Sequence, residues 1–239
     1  MMPGKETMIP LACGVLFCMA FGCSSNAPQE GASSSLDRPL GSTLSACALC
    51  HSTKEAQRGP ILHGMDAWYL LAQIQKFHTG IRGQNPKNRS EHLMGVAIRK
   101  IGSKQEMTSL SQWFANQKPM PAIPTVRGDL ANGKILYATR CASCHGEKAE
   151  GKRELSSPSL SQLEGWYFLD QMRKFRSGMR GKHPLDTAGQ AMVAAVADFS
   201  PAQLRDVVAF AVDAFGLPKA PSSRKPLPRR PIESNASRE

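Results

Sequence analysis

One unit written twice constrains this chain more than any other feature. The segment Trp68–Gly83 matches Trp166–Gly181 at a constant offset of 98, with nine of its sixteen positions identical. Upstream of each copy stands a Cys-x-x-Cys-His pentad: Cys47, Cys50 and His51 in the first, Cys141, Cys144 and His145 in the second. The pentads are 94 residues apart, so the second copy carries four extra residues between its two motifs. Downstream, Met94 and Met192 are again 98 apart. A chain of 239 residues therefore reads as two small tandem domains.

Each copy runs in the same order. A loop holding Pro60 or Pro158 follows the pentad, and then a helix with apolar residues at 67, 70, 71, 74 and 77 ends at Gly80. In the second copy the matching residues are 168, 169, 172 and 175, ending at Gly178. A loop bearing the methionine leads into a last helix. That helix opens on a capping-box pattern, Ser103-x-x-Glu106 or Ser200-Pro201-x-Gln203. Period-two alternation is absent, so the expected class is all-α. Lys118–Pro124 reads as a stiff proline-rich connector. The expected organisation is a signal over 1–22, a linker over 23–39, domains over 40–118 and 129–216 joined by 119–128, and a tail over 217–239.

Two thiols three positions apart at a helix or turn can each bond one vinyl group of a single haem. The adjacent imidazole then becomes the first axial ligand of the iron. This assigns Cys47, Cys50, Cys141 and Cys144 to covalent attachment of two haem c groups, with His51 and His145 on the irons. A zinc site from the four cysteines would need the halves to converge and would leave both histidines unexplained. A thioredoxin-like pair expects a βαβ setting that is missing here. Two local disulfides give no reason for the histidines. Haem also answers a compositional deficit: aromatic residues are only 6% of the chain, lean for two cores this small.

The second axial ligand follows from the duplication. Met94 and Met192 are equivalent positions, and a thioether favours ferrous iron and raises the potential. His92 is the rival in the first copy, but its counterpart is Gln190. His78 pairs with Arg176, His183 pairs with Asn85, and His63 has no histidine partner. These four read as ordinary polar or loop histidines.

The ends carry addresses. Lys5 followed by an apolar run from Met8 to Gly22 reads as an export signal, too short for a spanning helix. It ends in Ala20-Phe-Gly-Cys23, which resembles a bacterial lipobox and makes Cys23 the candidate lipidation site; the alternative is an ordinary signal cut later, for example after Ala27. The tail from 217 holds five prolines, six basic and two acidic residues and reads as disordered. A net charge of +11 points to partners with acidic docking faces.

Together the pentads, the following prolines, the Trp-Tyr-x-Leu-x-Gln-x-x-Lys-Phe-x-x-Gly-x-Arg-Gly segment and the ligand methionines resemble class I cytochrome c domains. Two in tandem resemble the dihaem cytochrome c4 family over residues 40–216. The resemblance implies that Pro60 and Pro158 offer their carbonyls to the Nδ1 atoms of His51 and His145. It makes Arg82 and Arg180 candidates to pair with haem propionates, exposed solvated arginine being the alternative, and Trp68 and Trp166 packing residues. The first repeat departs from the pattern, since Asp37–Leu44 looks too short for an N-terminal helix and is broken by Pro39. The implied function is one-electron transfer in a periplasmic or membrane-surface respiratory chain. Neither enzymatic turnover, nor a small-molecule substrate, nor nucleic acid is expected. The alternative is a fixed electron-accepting subunit of a flavoprotein sulfide dehydrogenase or a respiratory complex.

Overall fold

The computed structural model describes residues 37–52, 59–121 and 124–216. The export signal, Cys23 and the C-terminal tail lie outside these residues. Among the described residues the secondary structure is helical, apart from a single bridge between Lys152 and Ser157. No helix among them is long and apolar enough to cross a membrane.

The first half is built from α1 (Asp37–His51), α2 (Ala67–His78), α3 (Arg89–Ile98) and α4 (Lys104–Ala115). The second half follows with α5 (Leu130–Arg140), α6 (Ala142–His145), α7 (Gly165–Ser177), α8 (Thr187–Val196) and α9 (Pro201–Phe215). Helices α2 and α7 carry the duplicated segment. The α7 helix ends in a left-handed Gly178 at φ 72°, a conformation that costs a residue without a side chain little.

Three local expectations are corrected. The first repeat does have an N-terminal helix: α1 runs for 15 residues through Pro39 into the Cys-x-x-Cys-His segment. Proline is tolerated there because it falls in the first turn, where its missing N–H has no intrahelical acceptor. Both methionines sit on helices, Met94 on α3 and Met192 on α8, not on loops. The Ser103 box is only half made: Ser103 Oγ accepts from the Glu106 N–H, while the Glu106 carboxylate accepts from Thr43 Oγ1 of α1 at 2.7 Å. The reciprocal box is complete at Ser200 and Gln203, with Pro201 opening the helix.

The two cores differ in size. In the second half a single cluster holds fourteen buried residues, centred on Leu204, Val207 and Val208 of α9 against Phe168, Met172 and Phe175 of α7. The first half has two smaller clusters, of five and three, around Leu110 and Phe114. Helix α5 crosses α9 with Gly133 in the contact, where an added Cβ would collide with the Asp206 backbone and come within 2.7 Å of Phe210 Cβ. Asp206 ties the crossing by accepting from the Asp129 N–H at 2.9 Å and Asn132 Nδ2 at 2.8 Å. At an offset of 94 the first half has Pro39 where the second has Gly133. That close crossing is thus a property of the second half.

The connector is partly docked. Pro119 lies against Gly64, and Thr125 and Val126 lie against Gly165 at the start of α7. All the described residues fall within one compact unit. Gly133→Val should destabilise the second half by about 1–3 kcal/mol through overpacking. Differential scanning calorimetry should show the affected transition moving down, with the other half unchanged.

Candidate functional site

The pentads set their histidines by the same device twice. The His51 Nδ1–H donates to the Pro60 carbonyl at 2.8 Å, and the His145 Nδ1–H donates to the Pro158 carbonyl at 2.9 Å. Since a carbonyl can only accept, the ring proton is committed to Nδ1 and the lone pair to Nε2. Both rings are buried, at 7% and 6% exposure. Burial lowers each imidazole below its ordinary pKa, the proline carbonyl pulling the other way, so the neutral, ligating form is favoured. Gly59 leaves room for the first ring, because a Cβ there would lie 2.5 Å from His51 Cε1.

Opposite His51, Met94 Sδ lies 3.4 Å from Nε2. With the proton held at Nδ1, both facing atoms are lone-pair donors, a borderline nitrogen and a soft sulfur aimed at one point. Around them opens a mostly apolar cleft of about 410 Å³. Cys47 and Cys50 edge it, and Ile74, Phe77, Ile98, Leu110 and Phe114 form its walls. In the second half Met192 is half-buried and packs on the same cluster as Cys141 and Ala142. All four cysteines are free thiols. Burial pushes the Cys141 thiol up to about 11 and the Cys47 thiol above its usual value, which disfavours bare thiolates at these positions. No three His, Cys, Asp or Glu side chains gather into a metal site among the described residues, so the cysteines of the two halves do not converge as a zinc site requires. The donor set, the cleft and the unpaired thiols fit haem c.

The arginines are not where exposure would put them. Arg82 and Arg180 are both buried and meet at the contact between the halves. Arg82 forks onto Glu91, with Nε to Oε2 at 3.1 Å and Nη2 to Oε1 at 2.7 Å. It also donates to Gln73 Oε1 at 2.8 Å and, across the halves, to Gln171 Oε1 at 2.9 Å. Arg180 mirrors this by donating to Gln171 Oε1 at 2.7 Å and to Gln73 Oε1 at 3.0 Å. The Tyr167 hydroxyl lies within the reach of Arg82, and the Tyr69 hydroxyl within that of Arg180. The mirror breaks at Glu91, whose counterpart at an offset of 98 is Gly189. Arg180 Nε is consequently buried without a partner, an uncommitted donor toward an anion.

Lysines complete the contact. Lys76 pairs with Asp186 at 2.6 Å, and Lys174 reaches Glu91 at 3.9 Å, each across the halves. Burial alone would raise the Glu91 carboxyl, but the charge and hydrogen bonds of Arg82 outweigh it and hold the group below the usual range. Burial likewise opposes, and the Lys76 hydrogen bond outweighs, the shift at Asp186, which also ends low.

Sequence reasoning missed that the second half walls the first cleft. Trp166, Tyr167, Gln171 and Lys174 of α7 all line it. Trp166 is therefore a cleft residue as well as a packing one. The signal was available in the nine identities between the two copies, which include Tyr69 and Tyr167, Gln73 and Gln171, Lys76 and Lys174, and Arg82 and Arg180. Of the other histidines, His92 turns to the Gly83 carbonyl at 3.2 Å, His183 Nδ1 accepts from the Leu185 N–H, and His63 packs edge-on to Trp113.

Comparison with known proteins agrees with this geometry. Residues 130–213 match the Cytochrome c family. The chain shares its fold with cytochrome c4 from Acidithiobacillus ferrooxidans, at 22% identity and a TM-score of 0.57 over 70% of this chain and 98% of that one. It also matches reduced cytochrome c4 from Pseudomonas stutzeri, at 20% identity and a TM-score of 0.55 over 75% and 97%. The curated relatives include the cbb3-type cytochrome c oxidase subunit FixP of Bradyrhizobium sp. strain ORS 278, 30% identical over 132 residues, 52% of this chain and 44% of that protein. The FixP of Azorhizobium caulinodans is 31% identical over 121 residues, 48% and 40%. The chain spans less than half the length of these relatives. The domain match and the fold together imply covalently bound haem c.

Glu91→Gln should cost about 3 kcal/mol, because it leaves the Arg82 charge buried without its counter-ion. The low carboxyls of Glu91 and Asp186 also set an acid limit. Their contribution is complete above the ordinary carboxylate pKa, about pH 4, and is lost as pH falls through the lower folded values. Denaturant midpoints measured from pH 6 down to 3 should show this loss in the native protein and a shallower one in Glu91→Gln.

Proposed function

We propose that this chain is an exported dihaem c-type cytochrome that passes single electrons between protein partners. The route that fits best runs from a quinol-oxidising complex to a terminal oxidase at the periplasmic membrane surface. The facing pair of His51 Nε2 and Met94 Sδ, 3.4 Å apart in an apolar cleft beside two free cysteines, carries this reading. The repeat extends it to His145 and Met192. The chain would divide into domains over 40–118 and 129–216, each holding one haem.

When bound, each haem supplies a one-electron iron couple, and methionine ligation raises its potential. The protein does the rest. Cys47, Cys50, Cys141 and Cys144 would hold the groups covalently, and His51 and His145 would be steered by Pro60 and Pro158. Met94 and Met192 would add a thioether to each iron's ligand set, a donor pair suited to electron transfer. Arg180, with a free buried Nε, would take an anionic haem edge. Arg82 is already committed to Glu91 and is the weaker candidate for that role. Cys23 would anchor the mature chain by lipid.

The likeness to FixP, a subunit of a cbb3-type oxidase in the organisms named, favours a second form of the same reading: a cytochrome held at an oxidase as a subunit. Affinity purification at low salt separates the two, a stoichiometric oxidase supporting the subunit and a salt-released protein the carrier.

The test of the ligand assignment is direct. Met94→Leu and Met192→Leu should each lower one midpoint potential in a redox titration and leave the other in place. Unchanged midpoints and spectra in both variants would remove the assignment. Acid-acetone extraction followed by mass measurement should retain the mass of two haems on the polypeptide. Cys23→Ala should move the protein from the membrane fraction to the soluble one.

A further inference from the structure

The two halves present different faces beside their methionines. On α3 and the turn that follows it, Arg89, Leu93, Val96 and Lys100 are all exposed in one run, charged at its ends and apolar in the middle. Leu93 is 59% exposed and Val96 41%. Leu49, between the two attachment cysteines of the first half, is 61% exposed. Leu93, Cys47 and Cys50 all edge the first cleft. Lys87, Arg99 and Lys104 are exposed on the flanks of the same segment. From 87 to 104 the segment holds five basic residues and a single carboxylate, Glu91, which is buried against Arg82.

The matching face of the second half lacks the cations and the central leucine and valine; its large exposed apolar residue, Leu185 at 72%, stands apart at the segment's start. At an offset of 98, Arg89, Leu93, Val96 and Lys100 become Thr187, Ala191, Ala194 and Asp198, and Lys87 becomes Leu185. Leu49 becomes Ser143 at an offset of 94. Residues 183–204 contain no lysine or arginine. Two cations on this side are tied, Arg140 to Asp198 at 2.6 Å and Lys152 to the Ser143 carbonyl at 2.8 Å, while Lys182 and Arg205 are exposed at the ends of the segment.

We propose that the Leu49 corner of α1 and the outer stripe of α3 form the docking face for a redox protein that presents a rim of carboxylates around an apolar centre. This rests on the carrier reading and assigns the acidic partner to the first half. Exposed leucine and valine amid unpaired cations match the apolar-centre, polar-rim anatomy of a transient interface. Such a face steers an acidic partner before contact.

The test uses the full-length holoprotein and a reduced plant-type ferredoxin as the acidic redox-protein probe. Haem content and midpoint potentials are measured first, and then haem reduction is followed by stopped flow across ionic strength. Arg89→Glu, Lys100→Glu and Lys104→Glu combined should lower the second-order rate constant about tenfold at low salt and flatten its salt dependence. Reversing three exposed cations of the second half (Lys134→Glu, Arg173→Glu, Arg176→Glu) changes net charge equally and should leave the rate within about twofold. Leu49→Ser with Val96→Ser should lower the rate without altering the salt slope. An equal loss in the second-half control, or cross-links from ferredoxin that map to α8, would overturn the docking assignment while leaving the carrier reading intact. Loss of the rate effect because the triple variant has disrupted a dimer, seen by sedimentation, would also overturn it. A native protein without covalent haem would overturn both.

Discussion

The hydrogen bond from each imidazole Nδ1–H to a proline carbonyl is the interaction on which the rest of the site depends. It commits the ring proton to one nitrogen, at 2.8 Å in the first half and 2.9 Å in the second, and so turns the other nitrogen into a lone-pair donor aimed inward. Without it a buried neutral histidine could adopt either tautomer, and one of the two would turn a proton, not a lone pair, toward the cleft. Proline suits the acceptor position because it has no N–H of its own to satisfy and holds its φ fixed. The methionine then needs only to be brought over by α3 or α8. A helix does this more rigidly than the loop that the sequence suggested.

The second organising contact is the buried network between the halves. Two arginines would repel if brought together unaided. Here the side-chain oxygens of Gln73 and Gln171 each accept from both guanidinium groups, and Glu91 supplies the counter-charge. Lys76 with Asp186 adds a second bridge from the opposite side. A network of this kind is worth little as stability when compared with a well-packed apolar contact, but its directional bonds fix orientation. Orientation is what a pair of redox centres in one chain requires from its protein.

Much of this was legible in the sequence, and what was not has physical reasons. The helical class, the pentads, the equivalent methionines and the cap at Ser200 all follow from local patterns of spacing, which one chain displays in full. The α1 helix was hidden because Pro39 reads as a breaker unless its place in the first turn is known. The helical setting of Met94 and Met192 was hidden because α3 and α8 are short, with Gly95 within α3 and Gly189 within α8. Burial of Arg82 and Arg180 was illegible for a different reason. It arises between repeats, and no periodicity within a helix reports which polar residues face a second copy of the same helix.

Duplication explains why that last information was nonetheless present in another form. When two copies of one segment pack face to face, the residues at the shared contact meet their own counterparts, so a change in one copy disturbs the other. Residues facing outward are under no such mutual constraint. The identities between the copies accordingly include Tyr69, Gln73, Lys76 and Arg82, all of which take part in the contact, whereas Arg89, Leu93, Val96 and Lys100 on the outer stripe have all diverged. The contact breaks its own symmetry twice, at Glu91 against Gly189 and at Asp186 against Asn88, and the first break leaves one arginine neutralised and its twin with a free donor. Two sites that began alike thus differ in charge at their shared wall and in the residues of their outer faces. A chain that receives an electron at one end and releases it at the other requires that difference, and an exact repeat could not supply it.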